Sequence, residues 1–128
     1  MNTDEHRAEI NTLTEQIIGC AFQVSNALGC GFLEKIYENA LAIELRKAGM
    51  NIEQQHNIKV HYGQDLVGEY TADILVEKTV LLELKAVKAL EDIHAAQCLN
   101  YLRATGLKIC LLMNFGRPKL EIRRIIND

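Results

Sequence analysis

Leu13, Ile17, Ala21, Val24 and Leu28 recur three and four residues apart, the spacing of one helical face. Thr12-Leu13-Thr14-Glu15 reads as a capping box, with Thr12 as N-cap and Glu15 three residues on. A first helix is therefore expected from Thr12 to about Leu28, ended by Gly29 and Gly31. Residues 1–11 carry no such row and read as a polar lead-in to a domain over residues 12–128. Leu33, Tyr37, Ala40, Leu41, Glu44 and Leu45 predict a second helix from Leu33 to Ala48, stopped by Gly49.

The period then changes from about four to two. Ile58, Val60 and Tyr62 alternate with Lys59 and His61, a strand pattern closed by the turn Gly63-Gln64-Asp65. Two more strands, Glu69 to Glu77 and Val80 to Val87, flank the turn Glu77-Lys78-Thr79. A third helix is expected over Leu90 to Thr105, stopped by Gly106. Lys108 to Phe115 reads as a buried strand, Gly116-Arg117-Pro118-Lys119 as a turn, and Leu120 to Ile126 as a last strand. The order is ααβββαββ. A helix joining two strands of one sheet implies a right-handed crossover and a parallel pair. The fold class is α/β: one domain, a mixed β-sheet flanked by helices. The length of 128 residues suits one domain.

The hairpin around Lys78 carries the most pointed chemistry. Ala72, Ile74 and Val76 form one apolar set, and Val80, Leu82, Leu84 and Ala86 another, so both are expected on one core. A three-residue loop then sets Val76 opposite Val80, Ile74 opposite Leu82 and Ala72 opposite Leu84. On the other face Asp73 stands opposite Glu83, with Lys85 two residues along. Two carboxylates directly across a ladder repel. A divalent cation reverses that sign, and hard oxygen ligands on rigid strands suit Mg²⁺ or Mn²⁺. A half-buried salt bridge to Lys85 is the other solution for the same residues. Gln97 and Tyr101 share a face of the third helix at i, i+4, either reaching a phosphate or simply meeting solvent. Glu34 opens the second helix, where an acid also serves the helix dipole.

Composition narrows the remaining classes. The net charge is −3, so charge alone does not coat this chain with nucleic acid. The balance is uneven: residues 1–100 carry −7, while residues 101–128, with Arg103, Lys108, Arg117, Lys119, Arg123 and Arg124, carry +4. That basic end either meets phosphate or folds back on the acidic part. The longest clear apolar run, Ile109 to Met113, falls far short of the roughly 20 residues of a membrane span, and no signal-like core opens the chain. A cytoplasmic protein with no membrane partner is expected. Cys20, Cys30, Cys98 and Cys110 form no CxxC pair and are expected as reduced, mostly buried thiols. His56, His61 and His94 lack metal-ligand spacing, Ser25 has no nucleophile-elbow setting, and no Gly-rich phosphate loop occurs.

Several strings, in order, resemble one family. They are Gly31-Phe32-Leu33-Glu34-x-x-Tyr37-x-x-Ala40-Leu41, Ala72-Asp73, Glu83-Leu84-Lys85-Ala86, His94-x-x-Gln97-x-x-x-Tyr101-Leu102 and Asn114-Phe115-Gly116. Together they resemble the GxxExxY proteins of the PD-(D/E)XK nuclease-like superfamily over about residues 12–126, with Ala72 where the superfamily name has Pro. The resemblance implies a restriction-endonuclease-like αβββαβ core and a metal-dependent nuclease that hydrolyses phosphodiester bonds. It makes Asp73 and Glu83 the metal carboxylates, helped by the Leu84 backbone carbonyl, and Lys85 the residue that positions or deprotonates the attacking water. Glu34 matches an acid that assists the metal or water, and Gln97 and Tyr101 the QxxxY pair that steadies the phosphate. The implied cofactor is Mg²⁺ or Mn²⁺ and the implied partner nucleic acid, DNA more than RNA. A catalytically silent nuclease-fold module binding nucleic acid or a protein partner is the alternative, since fold membership does not establish a reaction. A core this small offers few loops to grip a duplex, so a homodimer or protein partner would complete the site.

Overall fold

Eight elements follow in the expected order in the structure, a computed structural model that describes residues 3–128. They are α1 (Thr3–Leu28), α2 (Glu34–Lys47), β1 (Ile52–Tyr62), β2 (Asp65–Val76), β3 (Val80–Lys85), α3 (Asp92–Thr105), β4 (Ile109–Asn114) and β5 (Glu121–Ile126). The strands form one mixed sheet in the order β1-β2-β3-β4-β5. All neighbours are antiparallel except β3 and β4, which run parallel from Val80↔Ile109 to Lys85↔Asn114 and are joined by α3.

The two central strands explain the layering. A parallel pair covered on both faces must be apolar on both. Val80, Leu82 and Leu84 join Ile109, Leu111 and Met113 in a core with Ile17, Ala21 and Val24 of α1 and Tyr37, Leu41 and Leu45 of α2. The alternate residues Leu81, Cys110 and Leu112 pack instead with Cys98 and Leu102 of α3. The sheet is thus sandwiched between α1/α2 and α3.

Three expectations about the elements need correction. The helix does not start at Thr12: α1 already runs from Thr3, and Thr12 Oγ1 donates to the Ala8 carbonyl within it at 3.0 Å. Ile10 extends the Leu13 and Ile17 row by one turn and packs on the core, while Asp4 and Glu5 sit in the first turn where acids favour the dipole. Residues 1 and 2 of the expected lead-in lie outside the described residues. Next, β1 begins at Ile52 and β2 at Asp65 instead of Glu69, because the two strands pair along their length, from Ile52↔Val76 and Gln54↔Ile74 to Tyr62↔Asp65. Finally, Ala72 leaves the set of Ile74 and Val76 and is buried in the α3-side core. The alternation switches beside a kink in β1, where Gln55 takes a left-handed φ of 56° between the pairs Gln54↔Ile74 and His56↔Ala72.

The Gly31–Tyr37 string is a structural staple. Tyr37 is fully buried and stacks on Phe115 at 4.8 Å and 17°. Its hydroxyl donates to the Gly29 carbonyl at 2.7 Å and accepts from the Phe32 N–H at 3.2 Å. The α1–α2 loop is pinned this way while Gly31 holds a φ of 115° that side chains disfavour. Tyr37→Phe is expected to lower stability by about 1–2 kcal/mol through two lost hydrogen bonds in a buried site. Urea unfolding should show the midpoint falling with the slope unchanged.

Candidate active site

β2 and β3 leave their turn in the register read from the sequence: Val76↔Val80, Leu75↔Leu81 and Ile74↔Leu82. Regular pairing ends there. One step further, Asp73 and Glu83 bridge the gap with their side chains. Leu84 N–H donates to Asp73 Oδ2 at 2.7 Å, and Asp73 N–H donates to Glu83 Oε1 at 3.1 Å. Each carboxylate therefore holds the opposite strand's backbone, and the two acids are fixed beside one another rather than splayed apart.

This arrangement is electrostatically costly. Glu83 is only 7% exposed, and burial, then the Asp73 charge, pushes its pKa from 4.5 up to about 8. Burial also raises Asp73, and the charges of Glu38 and Glu34 add to it, against the Leu84 N–H and Lys85. Lys85 is half-buried at the end of β3 and lowers both acids, but not enough to offset their burial. Asp73 Oδ1 and Glu83 Oε2 accept no hydrogen bond, and no buried side-chain oxygen or nitrogen among the described residues lacks a partner. Both oxygens must therefore touch solvent. Two half-satisfied carboxylates with open oxygens are a donor set that fits a hard divalent cation. Among the described residues no three His, Cys, Asp or Glu side chains converge, so water would complete the coordination.

The other expected residues divide. Tyr101 lies close enough that burial, then the Glu83 charge, lifts its phenol to about 12, so it is a hydrogen-bond donor at neutral pH. Gln97 is exposed on α3, and its side chain has no hydrogen-bond partner among the described residues. Glu34 is exposed in the first turn of α2, and its charge reaches Asp73 more weakly than that of Glu38.

Glu38 is the acid that sequence reasoning missed. It is 3% exposed and accepts from Gln54 Nε2 at 2.7 Å, Gln55 Nε2 at 2.8 Å and Lys35 Nζ at 2.9 Å. The signal was present: Glu38 occupies a core position in the row with Leu41, Ala42 and Leu45. A carboxylate there is rarely idle.

The histidines are accounted for without a metal. His94 Nδ1 accepts the Glu91 N–H at the start of α3, His56 meets Glu53 at 2.8 Å, and His61 lies on the outer part of β1. All four cysteines are free; Cys20, Cys98 and Cys110 are buried, in line with mostly buried thiols, and Cys30 is exposed. Arg124 of the basic end bonds back to Thr14 and Asn11 of α1, and Arg123 to the Leu90 carbonyl and Asp92, so these two charges serve packing.

Residues 11–125 match the model of the PD-(D/E)XK nuclease superfamily. The chain belongs to that superfamily. Nucleases of this superfamily generally use divalent metals, consistent with the donor set of Asp73 and Glu83. The fold also resembles the crystal structure of SSO0001, with a TM-score of 0.60 and 17% identity over 95% of this chain and 61% of that one. The alkaline exonuclease LHK-Exo from Laribacter hongkongensis superposes at a TM-score of 0.48 and 16% identity, over 73% of this chain and 56% of that one. The chain thus spans about three fifths of the solved chains it matches. No curated protein matches it. Among the described residues no helix is long and apolar enough to cross a membrane.

Proposed function

We propose that this PD-(D/E)XK chain is a divalent-metal-dependent nuclease of the GxxExxY type, hydrolysing phosphodiester bonds in nucleic acid, DNA in preference to RNA. The observation that carries this reading is the mutual clamp of Asp73 and Glu83, which holds a half-buried and a buried carboxylate together with one open oxygen each. Asp73, Glu83 and the Leu84 carbonyl would hold Mg²⁺ or Mn²⁺, whose bound charge stabilises negative charge developing on the phosphate. Lys85, as an ammonium, orients the attacking water and stabilises the negative charge that develops as the water's proton passes to solvent. Tyr101, still protonated at neutral pH, donates to a phosphate oxygen. Glu34 stands on the rim, where it orders water, and Gln97 is left to contact the substrate further out. Four unpaired thiols suit a cytoplasmic setting.

The test is cleavage of end-labelled single- and double-stranded DNA and RNA with Mg²⁺ or Mn²⁺. Cleavage is expected in the wild type and to fall by at least about 100-fold in Asp73→Asn and Lys85→Ala, with the folded circular-dichroism spectrum retained. Cleavage equal to that of Lys85→Ala would overturn the enzymatic reading. Cation binding abolished by Asp73→Asn, with no cleavage, would leave the silent binding module.

A further inference from the structure

The sheet is lopsided. β1 and β2 pair along nearly their whole length, yet β3 covers only Ile74–Val76 of β2. The outer part of the β1–β2 ribbon has no strand beside it and exposes Tyr62, Leu66, Val67 and Tyr70. α3 packs under this ribbon, and a cleft of about 470 Å³ opens between them. Its walls include Lys59 and His61 from β1, Tyr70 from β2, and Asn100, Tyr101 and Arg103 from α3.

The cleft differs from the rest of the molecule in charge. The first hundred residues carry −7, but no carboxylate lines this wall. Arg103 has no ion pair among the described residues, whereas Lys59 stands across the ladder from Glu69, on the face opposite the pair Ile58↔Tyr70. An uncommitted cation on a concave surface free of carboxylates suits an anion. The aromatic pair adds a second requirement. Tyr70 and Tyr101 have ring centroids 5.3 Å apart at 49°, and Tyr70 is half exposed. Tyr101 also feels the charges of Glu83 and Asp73, so the inner end of the cleft borders the acids. Aromatic faces flanked by cations are the recognition pattern of single-stranded nucleic acid, whose unpaired bases can stack while the backbone follows the charge. A cleft of this volume has room for an unstacked base with its flanking phosphate.

We propose that the cleft between the β1–β2 ribbon and α3 is a single-strand channel leading to the carboxylates. A base stacks on Tyr70 and Tyr101, and a flanking phosphate meets Arg103. This rests on the nuclease reading only for what happens at the channel's inner end. A second basic pocket, of about 390 Å³ between α1 and β5, is lined by His6, Arg7, Lys108 and Arg124. It has no tyrosine, phenylalanine or tryptophan and includes Asp128, so it serves as the control surface.

The test is fluorescence anisotropy of the full chain in EDTA, where no hydrolysis occurs, with a labelled oligothymidylate and with a blunt duplex. The single strand is expected to bind at least ~10-fold more tightly than the duplex. Tyr70→Ala should weaken binding ~10-fold or more, and Tyr70→Phe should retain it. Arg103→Ala should weaken binding and reduce the logarithmic salt slope by about 0.7. Lys108→Ala should change neither. Each of these substitutions is at an exposed or half-exposed position, and unchanged melting temperatures confirm folding. Equal affinity for duplex, or affinity indifferent to both Tyr70→Ala and Arg103→Ala, overturns the channel. Cleavage that persists in those variants would sink the channel and leave the nuclease reading intact; channel-dependent binding without cleavage would do the reverse.

Discussion

In EDTA, raising the pH from about 5 to about 7.5 is expected to lower the melting temperature by roughly 10 °C, and Glu83→Gln is expected to remove most of that fall. The sign follows from the proton count. Glu83 holds its proton in the fold up to about pH 8, whereas the unfolded chain releases it near 4.5. Between these values the native state binds the extra proton, so stability is greatest below the unfolded pKa and declines as pH rises. Each tenfold change in proton affinity is worth about 1.4 kcal/mol, which bounds the effect at roughly 5 kcal/mol. Asp73 is raised as well and acts in the same direction. The glutamine keeps an oxygen for the Asp73 N–H but carries no charge, so at pH 7.5 the metal-free variant should be the more stable protein. Added Mn²⁺ should reverse the order: it stabilises the wild type increasingly toward higher pH, with proton release measurable by calorimetry in two buffers, and does nothing for Glu83→Gln. A wild-type melting temperature that is flat or rises over this range would mean that Lys85 already neutralises the acid, the salt-bridge reading of the same hairpin.

That hairpin was legible in the sequence because two independent constraints agree on it. The period-two apolar positions fix which side chains face the core, and the three-residue turn fixes the register, so Asp73 meets Glu83 with little freedom left. What the alternation could not reveal is the break at Asp73 itself. Pairing gives way there to side-chain clamps, and Ala72 passes to the other core, because β1 kinks at Gln55, a residue with no turn signal of its own. Local signals misled at Thr12, where a capping-box pattern lost to the packing of Ile10 one turn earlier. The acid of α2 was read from its motif position, Glu34, although the helical row places Glu38 inward. The channel was hidden for a different reason. Lys59, Tyr70 and Arg103 lie far apart in the chain, and only the lengths of β1 and β2 relative to β3 bring them together.

Gly116→Ala is expected to cost about 3 kcal/mol of stability and to reduce cleavage by roughly 100-fold while leaving cation affinity nearly unchanged. A Cβ at Gly116 would lie 2.4 Å from both the Val87 nitrogen and oxygen and 2.7 Å from the Ala86 carbonyl carbon. These are backbone atoms, with no flexible tip to swing aside. Nor can Val87 retreat freely. Asn114 is fully buried and donates to the Val87 carbonyl at 2.9 Å and to Glu121 Oε1 at 3.1 Å. Its Oδ1 accepts from the Val87 N–H at 3.0 Å and the Gly116 N–H at 2.9 Å. Phe115 N–H meanwhile donates to the Lys85 carbonyl at 2.8 Å, so the Asn114-Phe115-Gly116 string clips β4 to the segment leaving β3. Relieving the clash must stretch these bonds and drag the backbone immediately after Lys85. Lys85 would move relative to any bound phosphate, whereas Asp73 and Glu83 are anchored to each other's strands and stay in place. Urea unfolding and manganese titration of the variant separate the two effects. Wild-type stability would show that the loop relaxes at no cost, and a cation affinity that collapses in step with cleavage would show that the clip supports the carboxylates instead of Lys85.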